Sequence, residues 1–201
     1  MSLYLISDTH FGHTNIIKHC DRPFRRASEM DKEIIQNWNE RIQYTDTVLH
    51  GGDIAMSHDE SAIKYIERLN GQIVHLEGNH DDFDYSKASF PTLKSYYFTY
   101  AYEGVEYEFY YTHWPPNTNS SKRDDERETP KESQSPEWFD GWFLHGHVHN
   151  NDIENFPFIN PDKKFVNLSA ELLNYTPIEI EELIRLLQNK KRYDTIRDAI
   201  S

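Results

Sequence analysis

Residues 3–10 read Leu-Tyr-Leu-Ile-Ser-Asp-Thr-His, a short apolar run that ends in a polar cluster. The apolar part predicts a buried strand, and Asp8 begins the loop that follows it. Four further clusters rich in Asp, Asn and His also follow strand-like runs: Gly52-Asp53, Gly78-Asn79-His80-Asp81, Thr112-His113 and Gly146-His147-Val148-His149. Parallel strands deliver such residues to the carboxyl edge of a sheet, so the five clusters predict one shared site in an α/β fold.

The connections between the first strands have helical patterns. Residues 27–44 place apolar side chains at helical spacing, with Ser28 as the expected N-cap, and residues 57–69 form a second amphipathic pattern. Short β-prone runs at 47–50 and 72–76 predict the next two strands. This alternation of strands and helices indicates crossover connections and a largely parallel first half.

The second half of the chain has a different pattern. Aromatic and β-branched residues at 95–101 and 105–111 predict an antiparallel hairpin. Two more strands and a C-terminal helix complete the pattern, at 142–145, 164–168 and 178–187. We therefore expect a two-layered β core with helices outside it, in a single domain over residues 1–201.

Two segments, residues 13–26 and about 115–137, fit neither pattern. The second is polar and contains Pro115, Pro116, Pro130 and Pro136. Long loops in a compact domain are usually lids over a site or disordered surface. We interpret the 115–137 segment as a mobile polar loop, with a lid as the alternative.

The composition restricts the possible partners. A net charge of −13 argues against a protein that binds long nucleic acid through a basic face. A phosphate-containing substrate stays open, because bound metal ions can supply local positive charge.

The single cysteine, Cys20, excludes intramolecular disulfides and cysteine-rich zinc sites. No signal peptide or segment of transmembrane length is visible, so we expect a cytoplasmic protein without a membrane partner. The oligomeric state is left open.

The five clusters offer carboxylate, imidazole and amide oxygen donors. Side chains one residue apart on an extended segment point the same way, as in Asp8-x-His10 and His147-x-His149, so each pair can share one metal or reach two. A lone Asp after a strand is usually a helix cap, and a lone His is often structural. Their joint occurrence after successive strands favours a metal site. Nitrogen and oxygen donors without thiolate favour Mn, Fe, Zn, Co or Ni.

The series Asp-x-His, Gly-Asp, Gly-Asn-His-Asp, His and Gly-His-x-His resembles the calcineurin-like metallophosphoesterase superfamily. The resemblance covers residues 3 to about 170, and the opening at 7–13 with the run through Arg22-Pro23-Phe24 is similar to short bacterial and phage members. Those are mostly described as predicted phosphoesterases. The resemblance implies a four-layer α-β-β-α sandwich of mixed sheets and a dinuclear metal centre, with Mn²⁺ ranked first and Fe, Zn, Co or Ni as alternatives.

The resemblance also implies a role for each ligand. Asp53 would bridge the two ions, because its two oxygens can each accept one cation. The first ion would be held by Asp8, His10 and His149, and the second by Asn79, His113 and His147. Two ions roughly 3.5–4 Å apart can clamp the attacking and leaving oxygens of an in-line displacement.

Other residues are expected beside the ions. His80 matches the family histidine that steadies the phosphoryl oxygens or protonates the leaving alkoxide. Asp81 would orient His80 and raise its pKa, or cap the next helix. His13, Asn15 and Arg22 follow the first ligand loop and could bind a distal phosphate or a base, with loop support and ion pairing as the alternative.

The implied activity is hydrolysis of a phosphodiester or phosphomonoester by attack of metal-bound hydroxide. The expected partner is a small phosphorylated substrate, and our narrower hypothesis is a phosphodiesterase acting on a nucleotide or small nucleic-acid end. A phosphatase and a dinucleoside polyphosphate hydrolase are alternatives. A non-catalytic binding module on the same fold would be expected to have lost ligands or His80, yet all are present. A structural metal site would normally be a closed single-metal centre.

Overall fold

The computed structural model describes residues 1–56, 59–81, 90–116 and 135–200 of the chain. The first half contains β1 (Leu3–Ile6), α1 (Ile16–His19), α2 (Ala27–Arg41), β2 (Thr47–His50), α3 (Asp59–Ile66), β3 (Gln72–Leu76) and β4 (Thr92–Leu93). The second half contains β5 (Ser95–Tyr102), β6 (Val105–Thr112), β7 (Trp142–His145), β8 (Ile159–Asn160), β9 (Phe165–Asn167), β10 (Ile178–Glu179), α4 (Ile180–Gln188) and α5 (Ile196–Ala199).

The first sheet has the strand order β10-β1-β2-β3-β4. Its strands β1 to β4 are parallel, and β10 pairs antiparallel with β1. The crossovers through α2 and α3 both step in the same direction across the sheet, so both helices lie on one face. The connection between α3 and β3 contacts α2, because the Trp38 indole donates a hydrogen bond of 2.9 Å to the Asn70 carbonyl.

The second sheet has the order β5-β6-β7-β9-β8, with parallel strands β6, β7 and β9 at its centre. The β5–β6 hairpin turns at Glu103 and Gly104, whose φ values of 51° and 79° suit a tight hairpin turn. Contacts join the two sheets: the Tyr111 hydroxyl donates to the Ile6 carbonyl at 2.9 Å, and the Ser7 N–H to the Leu168 carbonyl at 2.8 Å. The predicted α/β sandwich of two mixed sheets is confirmed.

Several predicted boundaries need correction. The helix predicted at 27–44 ends at Arg41, and its N-cap is Arg26 in extended conformation instead of Ser28. Residues 178–179 belong to a strand, because they satisfy the otherwise open edge of β1. The helix predicted at 57–69 spans Asp59–Ile66.

The two segments without a predicted element have different outcomes. The 13–26 connection contains α1. Most of the predicted 115–137 loop lies outside the described residues. None of the helices in the described parts of the chain has the length and apolar character that crossing a membrane requires.

Candidate metal centre

The predicted ligands lie in loops that directly follow five parallel strands. Asp8 and His10 follow β1, Asp53 follows β2, and Asn79 follows β3 in the first sheet; His113 follows β6, and His147 and His149 follow β7 in the second. Ser7 and Ser169 form a parallel bridge between the two sheets, which brings these strand ends to a common edge. The distances below show that all seven side chains meet there.

The backbone at this edge has an unusual conformation. Five of the predicted ligands have left-handed φ values between 51° and 69°: Asp8, His10, Asp53, His147 and His149. Non-glycine residues rarely adopt this region, and such strain clusters at functional sites. Hydrogen bonds between loops hold it in place, since the Asp8 N–H donates to the Gly52 carbonyl and the His10 N–H to the Asp53 carbonyl, both at 3.0 Å.

We name Asp8, His10 and His149 the first half-site. All three are buried, with exposed fractions of 0%, 0% and 7%. The Asp8 Oδ1 atom lies 3.8 Å from His149 Nε2, and the His10 and His149 rings are 5.1 Å apart. The buried His10 Nε2 atom has no hydrogen-bond partner among the described residues. An unpartnered buried nitrogen that faces carboxylates is a fitting ligand for a cation.

We name Asn79, His113 and His147 the second half-site. Asn79 Oδ1 lies 3.0 Å from His113 Nε2 and 2.9 Å from His147 Nδ1. His113 is fully buried and its Nδ1 atom lies 2.9 Å from the Gly51 carbonyl oxygen, whereas Asn79 and His147 are half-buried. The second half-site is therefore the more open of the two.

Asp53 lies between the half-sites. Its Oδ2 atom is 3.4 Å from His10 Nε2 and 3.5 Å from His113 Nε2, and its Oδ1 atom accepts the His80 N–H at 2.8 Å. Donor atoms bound at about 2.0–2.2 Å to one ion lie about 3.0–3.5 Å from each other. The distances across the centre are close to this range, so the residues present fit two divalent ions with Asp53 shared.

Burial and charge act together on these groups. Burial raises the pKa of Asp53, and the Asp8 charge adds to this effect. Burial lowers the pKa of His10 and His147 well below the usual value, so both imidazoles are neutral near pH 7. Burial would also lower the pKa of His113, but the Asp53 and Asp8 carboxylates outweigh it and raise that pKa. Crowded carboxylates and neutral imidazoles would both be stabilised by bound cations.

Asp81 has other partners than the one predicted. It was expected to orient His80, whereas its carboxylate accepts hydrogen bonds of 2.7–2.9 Å from His75 Nε2 and from the backbone N–H groups of Asp53, Ile54 and Gly78. Burial opposes ionisation, but the His75 charge and these hydrogen bonds lower the pKa of Asp81 below its usual value. Asp81 therefore positions the loop that carries Asp53.

His80 and His13 lie side by side at the open side of the centre. The His80 ring is 5.6 Å from the His10 ring and 6.0 Å from the His13 ring. His13 Nδ1 lies 3.2 Å from His10 Nδ1, and burial lowers the pKa of His13 to about 4. If His10 binds an ion through Nε2, its Nδ1–H donates to His13, which then carries its own proton on Nε2.

The other two predicted substrate-binding residues, Asn15 and Arg22, have different surroundings. Asn15 is exposed at the start of α1, and its side chain does not cap that helix. Arg22 is buried, and its guanidinium donates to Glu171 and to the carbonyls of Asp8 and Thr9. The prediction that Arg22 binds a distal phosphate is therefore wrong, because its donors are already used inside the protein.

Three polar residues at and just after the end of β9 were missed in the sequence. Asn167, Ser169 and Glu171 contact residues of the first half-site or their backbone. Burial opposes ionisation of Glu171, but the charges of Arg22 and His149 outweigh it and lower the Glu171 pKa to about 2. The available signal was the alternation of polar side chains directly after a strand.

Comparison with known proteins agrees with this geometry. A family model described as calcineurin-like phosphoesterase matches residues 1–196. An uncharacterised protein of Methanocaldococcus jannaschii is 37% identical over 198 residues, covering 98% of this chain and 97% of the relative. The crystal structure of a protein of unknown function from Aquifex aeolicus shares the fold, with a TM-score of 0.63 at 23% identity over 92% of this chain and 98% of that one. The chain belongs to the calcineurin-like phosphoesterase family.

Proposed function

We propose that the protein is a dinuclear metal-dependent phosphodiesterase that acts on a nucleotide or a small nucleic-acid end. The observation that carries this proposal is the position of Asp53 Oδ2, 3.4 Å from a nitrogen of the first half-site and 3.5 Å from one of the second. One carboxylate oxygen placed between two sets of nitrogen and oxygen donors suits a bridge between two ions.

The chemistry of the donors guides the choice of metal. Imidazole, carboxylate and amide oxygen suit Mn²⁺, which we rank first, with Fe, Zn, Co or Ni as alternatives. When bound, two such ions lower the pKa of a shared water molecule and neutralise the charge of a phosphoryl group. The first ion would be held by the buried Asp8, His10 and His149, and the second by Asn79, His113 and His147.

His80 and His13 are suited to handle the substrate. His80 is half-buried and its backbone N–H is fixed on the Asp53 carboxylate, so its side chain is held near the centre without being needed as a ligand. In that position His80 can donate a hydrogen bond to a phosphoryl oxygen or a proton to the leaving oxygen. His13, with its Nε2–H free of His10, offers a second neutral donor.

A small substrate suits the surroundings of the centre. The open side is bounded by half-buried residues: His13, Asn79, His80 and His147. The Trp114 ring packs 4.1 Å from the His147 ring and supports one side of the second half-site. The net charge of −13 disfavours a long polyanion, while a short ester can be held through the ions and the two histidines.

The test compares p-nitrophenyl phosphate with bis-p-nitrophenyl phosphate, using Mn²⁺-loaded protein and Asp53→Asn as the control. Diester turnover that disappears in Asp53→Asn is the expected result. Preference for the monoester would overturn the phosphodiesterase proposal and favour a phosphatase. If neither substrate is hydrolysed although two ions are bound, a panel of nucleotides and dinucleoside polyphosphates is tested next. Absence of hydrolysis in that panel as well would favour a non-catalytic binding module.

A further inference from the structure

A segment outside the five motifs surrounds the first half-site. Residues 167–171 run from the last residue of β9, through the bridge at Ser169, into a turn. The Asn167 side-chain amide donates to the His149 carbonyl at 2.9 Å. The Ser169 hydroxyl lies 3.1 Å from Asp8 Oδ2 and 2.8 Å from Asn167 Oδ1, and Glu171 lies 3.1 Å from His149 Nδ1. One short segment therefore contacts two ligands of the same ion position.

The Glu171 contact selects the tautomer of His149. A carboxylate only accepts hydrogen bonds, so the His149 Nδ1 atom must carry a proton. A metal ion would therefore bind His149 through Nε2, which faces the centre and lies 3.8 Å from Asp8 Oδ1. Carboxylates behind metal-binding histidines fix the ring orientation and make the ligand more basic.

Arg22 connects Glu171 to the first motif. Its guanidinium lies 2.7 Å from Glu171 Oε1, and the side chains are 0% and 4% exposed. The same guanidinium donates to the Asp8 carbonyl at 2.7 Å and to the Thr9 carbonyl at 3.0 Å. The loop that carries Asp8 and the ring of His149 are therefore held by one buried ion pair.

The second half-site is supported in another way. His113 Nδ1 faces a backbone carbonyl, that of Gly51, and His147 Nδ1 faces Asn79, which belongs to the same half-site. Among the described residues, neither the His113 ring nor the His147 ring has a carboxylate behind it as His149 has Glu171. The carboxylate beside His113 is that of the shared Asp53, at 3.5 Å.

We propose that Ser169, Glu171 and Arg22 are positioning residues that make the first half-site the tighter of the two, so that it fills first. This inference rests on the proposed metal centre. The alternative to this positioning role is a purely structural role, in which the Arg22–Glu171 pair stabilises the fold and leaves the metal affinity unchanged.

The test is isothermal titration of metal-free protein with Mn²⁺, with thermal unfolding followed in parallel. The wild type should bind one ion more tightly than the other. Glu171→Gln should weaken the tighter event by about 10–100-fold, the usual effect of removing such a partner, and leave the weaker one unchanged. Glu154→Gln, a change of the same chemistry at an exposed position, is the matched control and should bind as the wild type does.

Ser169→Ala keeps the test informative if Glu171→Gln, which leaves Arg22 unpaired, fails to fold. It removes the hydroxyl that lies 3.1 Å from Asp8 Oδ2 and 2.8 Å from Asn167 Oδ1, and it should weaken the tighter event by about tenfold. The inference would be overturned if the wild type bound both Mn²⁺ ions with equal affinity. It would also be overturned if the folded variants had a lower unfolding temperature but an unchanged affinity for Mn²⁺. The protein could also bind two Mn²⁺ ions with unequal affinities that change in these variants, and yet show no esterase activity. That result would support the inference and overturn only the proposed function.

Discussion

The first half-site is supported by side chains from distant parts of the sequence, whereas the imidazoles of the second contact a backbone carbonyl and a ligand of the same half-site. Glu171 and Ser169 contact His149 and Asp8 directly, and the side chains of all four are buried. In the second half-site the Gly51 carbonyl lies 2.9 Å from His113 Nδ1, and His147 Nδ1 faces Asn79 of the same half-site. In the proposed dinuclear centre, one ion position is therefore deeply buried, and the other is the more open position that a substrate would reach.

Asp53→Asn should have the largest effect, because it removes the group that the two half-sites share. Asn keeps the shape of the side chain but loses the negative charge between the two sets of ligands. We expect both Mn²⁺ ions to be lost and ester hydrolysis to fall to the background of metal-free protein. Metal content by mass spectrometry and diester turnover check this. A variant that retains both ions would contradict the bridging role of Asp53.

His80→Ala should have the next largest effect and should leave both half-sites intact. We expect turnover to fall by roughly 10²–10⁴-fold, the usual size of a general-acid contribution, with metal content unchanged. His19→Ala is the control, because His19 is exposed on α1. Loss of metal in His80→Ala would show that His80 belongs to the ligand set.

Gly146→Ala and Gly52→Ala should separate the half-sites. A Cβ atom on Gly146 would collide with the Asp8 carboxylate, whereas one on Gly52 would displace His113. We expect Gly146→Ala to weaken the first ion and Gly52→Ala the second, each by about 10–100-fold. Mn²⁺ titration checks both variants.

Gly104→Ala controls for backbone strain in that pair. Gly52 and Gly104 have φ values of 100° and 79°, but a Cβ atom on Gly104 would meet nothing within 4 Å. This control should bind both ions as the wild type does. If the two test variants weaken the same binding event, the division into half-sites is wrong.

His13→Ala should have the smallest effect. His13 contacts His10 through Nδ1 and faces the more open side with its other nitrogen. We expect turnover to fall by about tenfold through the loss of one hydrogen bond to a charged phosphoryl group. Steady-state kinetics beside His80→Ala would rank the two donors. A larger loss in His13→Ala than in His80→Ala would reverse their roles.

Local pattern was enough to predict the strands that carry the ligands. Strands at 47–50, 72–76 and 142–145 were predicted at their observed bounds, because each is a short buried run followed by a polar cluster or glycine. The prediction that the motif residues lie close together followed from their positions at the ends of parallel strands. The strand at Ile178–Glu179 was missed, because its residues continue directly into the apolar pattern of α4.

The partners of buried charged groups could not be predicted in the same way. Arg22 and Glu171 are 149 residues apart, and nothing local indicates that they meet. Asp81 is adjacent to His80 in sequence, but the curvature of the loop turns its carboxylate to His75 and the backbone around Asp53. Such pairings depend on the packing of the two sheets and not on motif spacing.

The left-handed backbone at five ligand positions limits how stable this protein can be while it keeps its metal centre. Each such residue costs about 1–3 kcal/mol relative to relaxed backbone. Glycine at these positions would relieve the backbone strain but would remove the donor atom. A variant such as His10→Gly would therefore lose a metal ligand while its backbone strain is relieved. Selection for heat resistance alone would therefore be expected to erode the metal centre first.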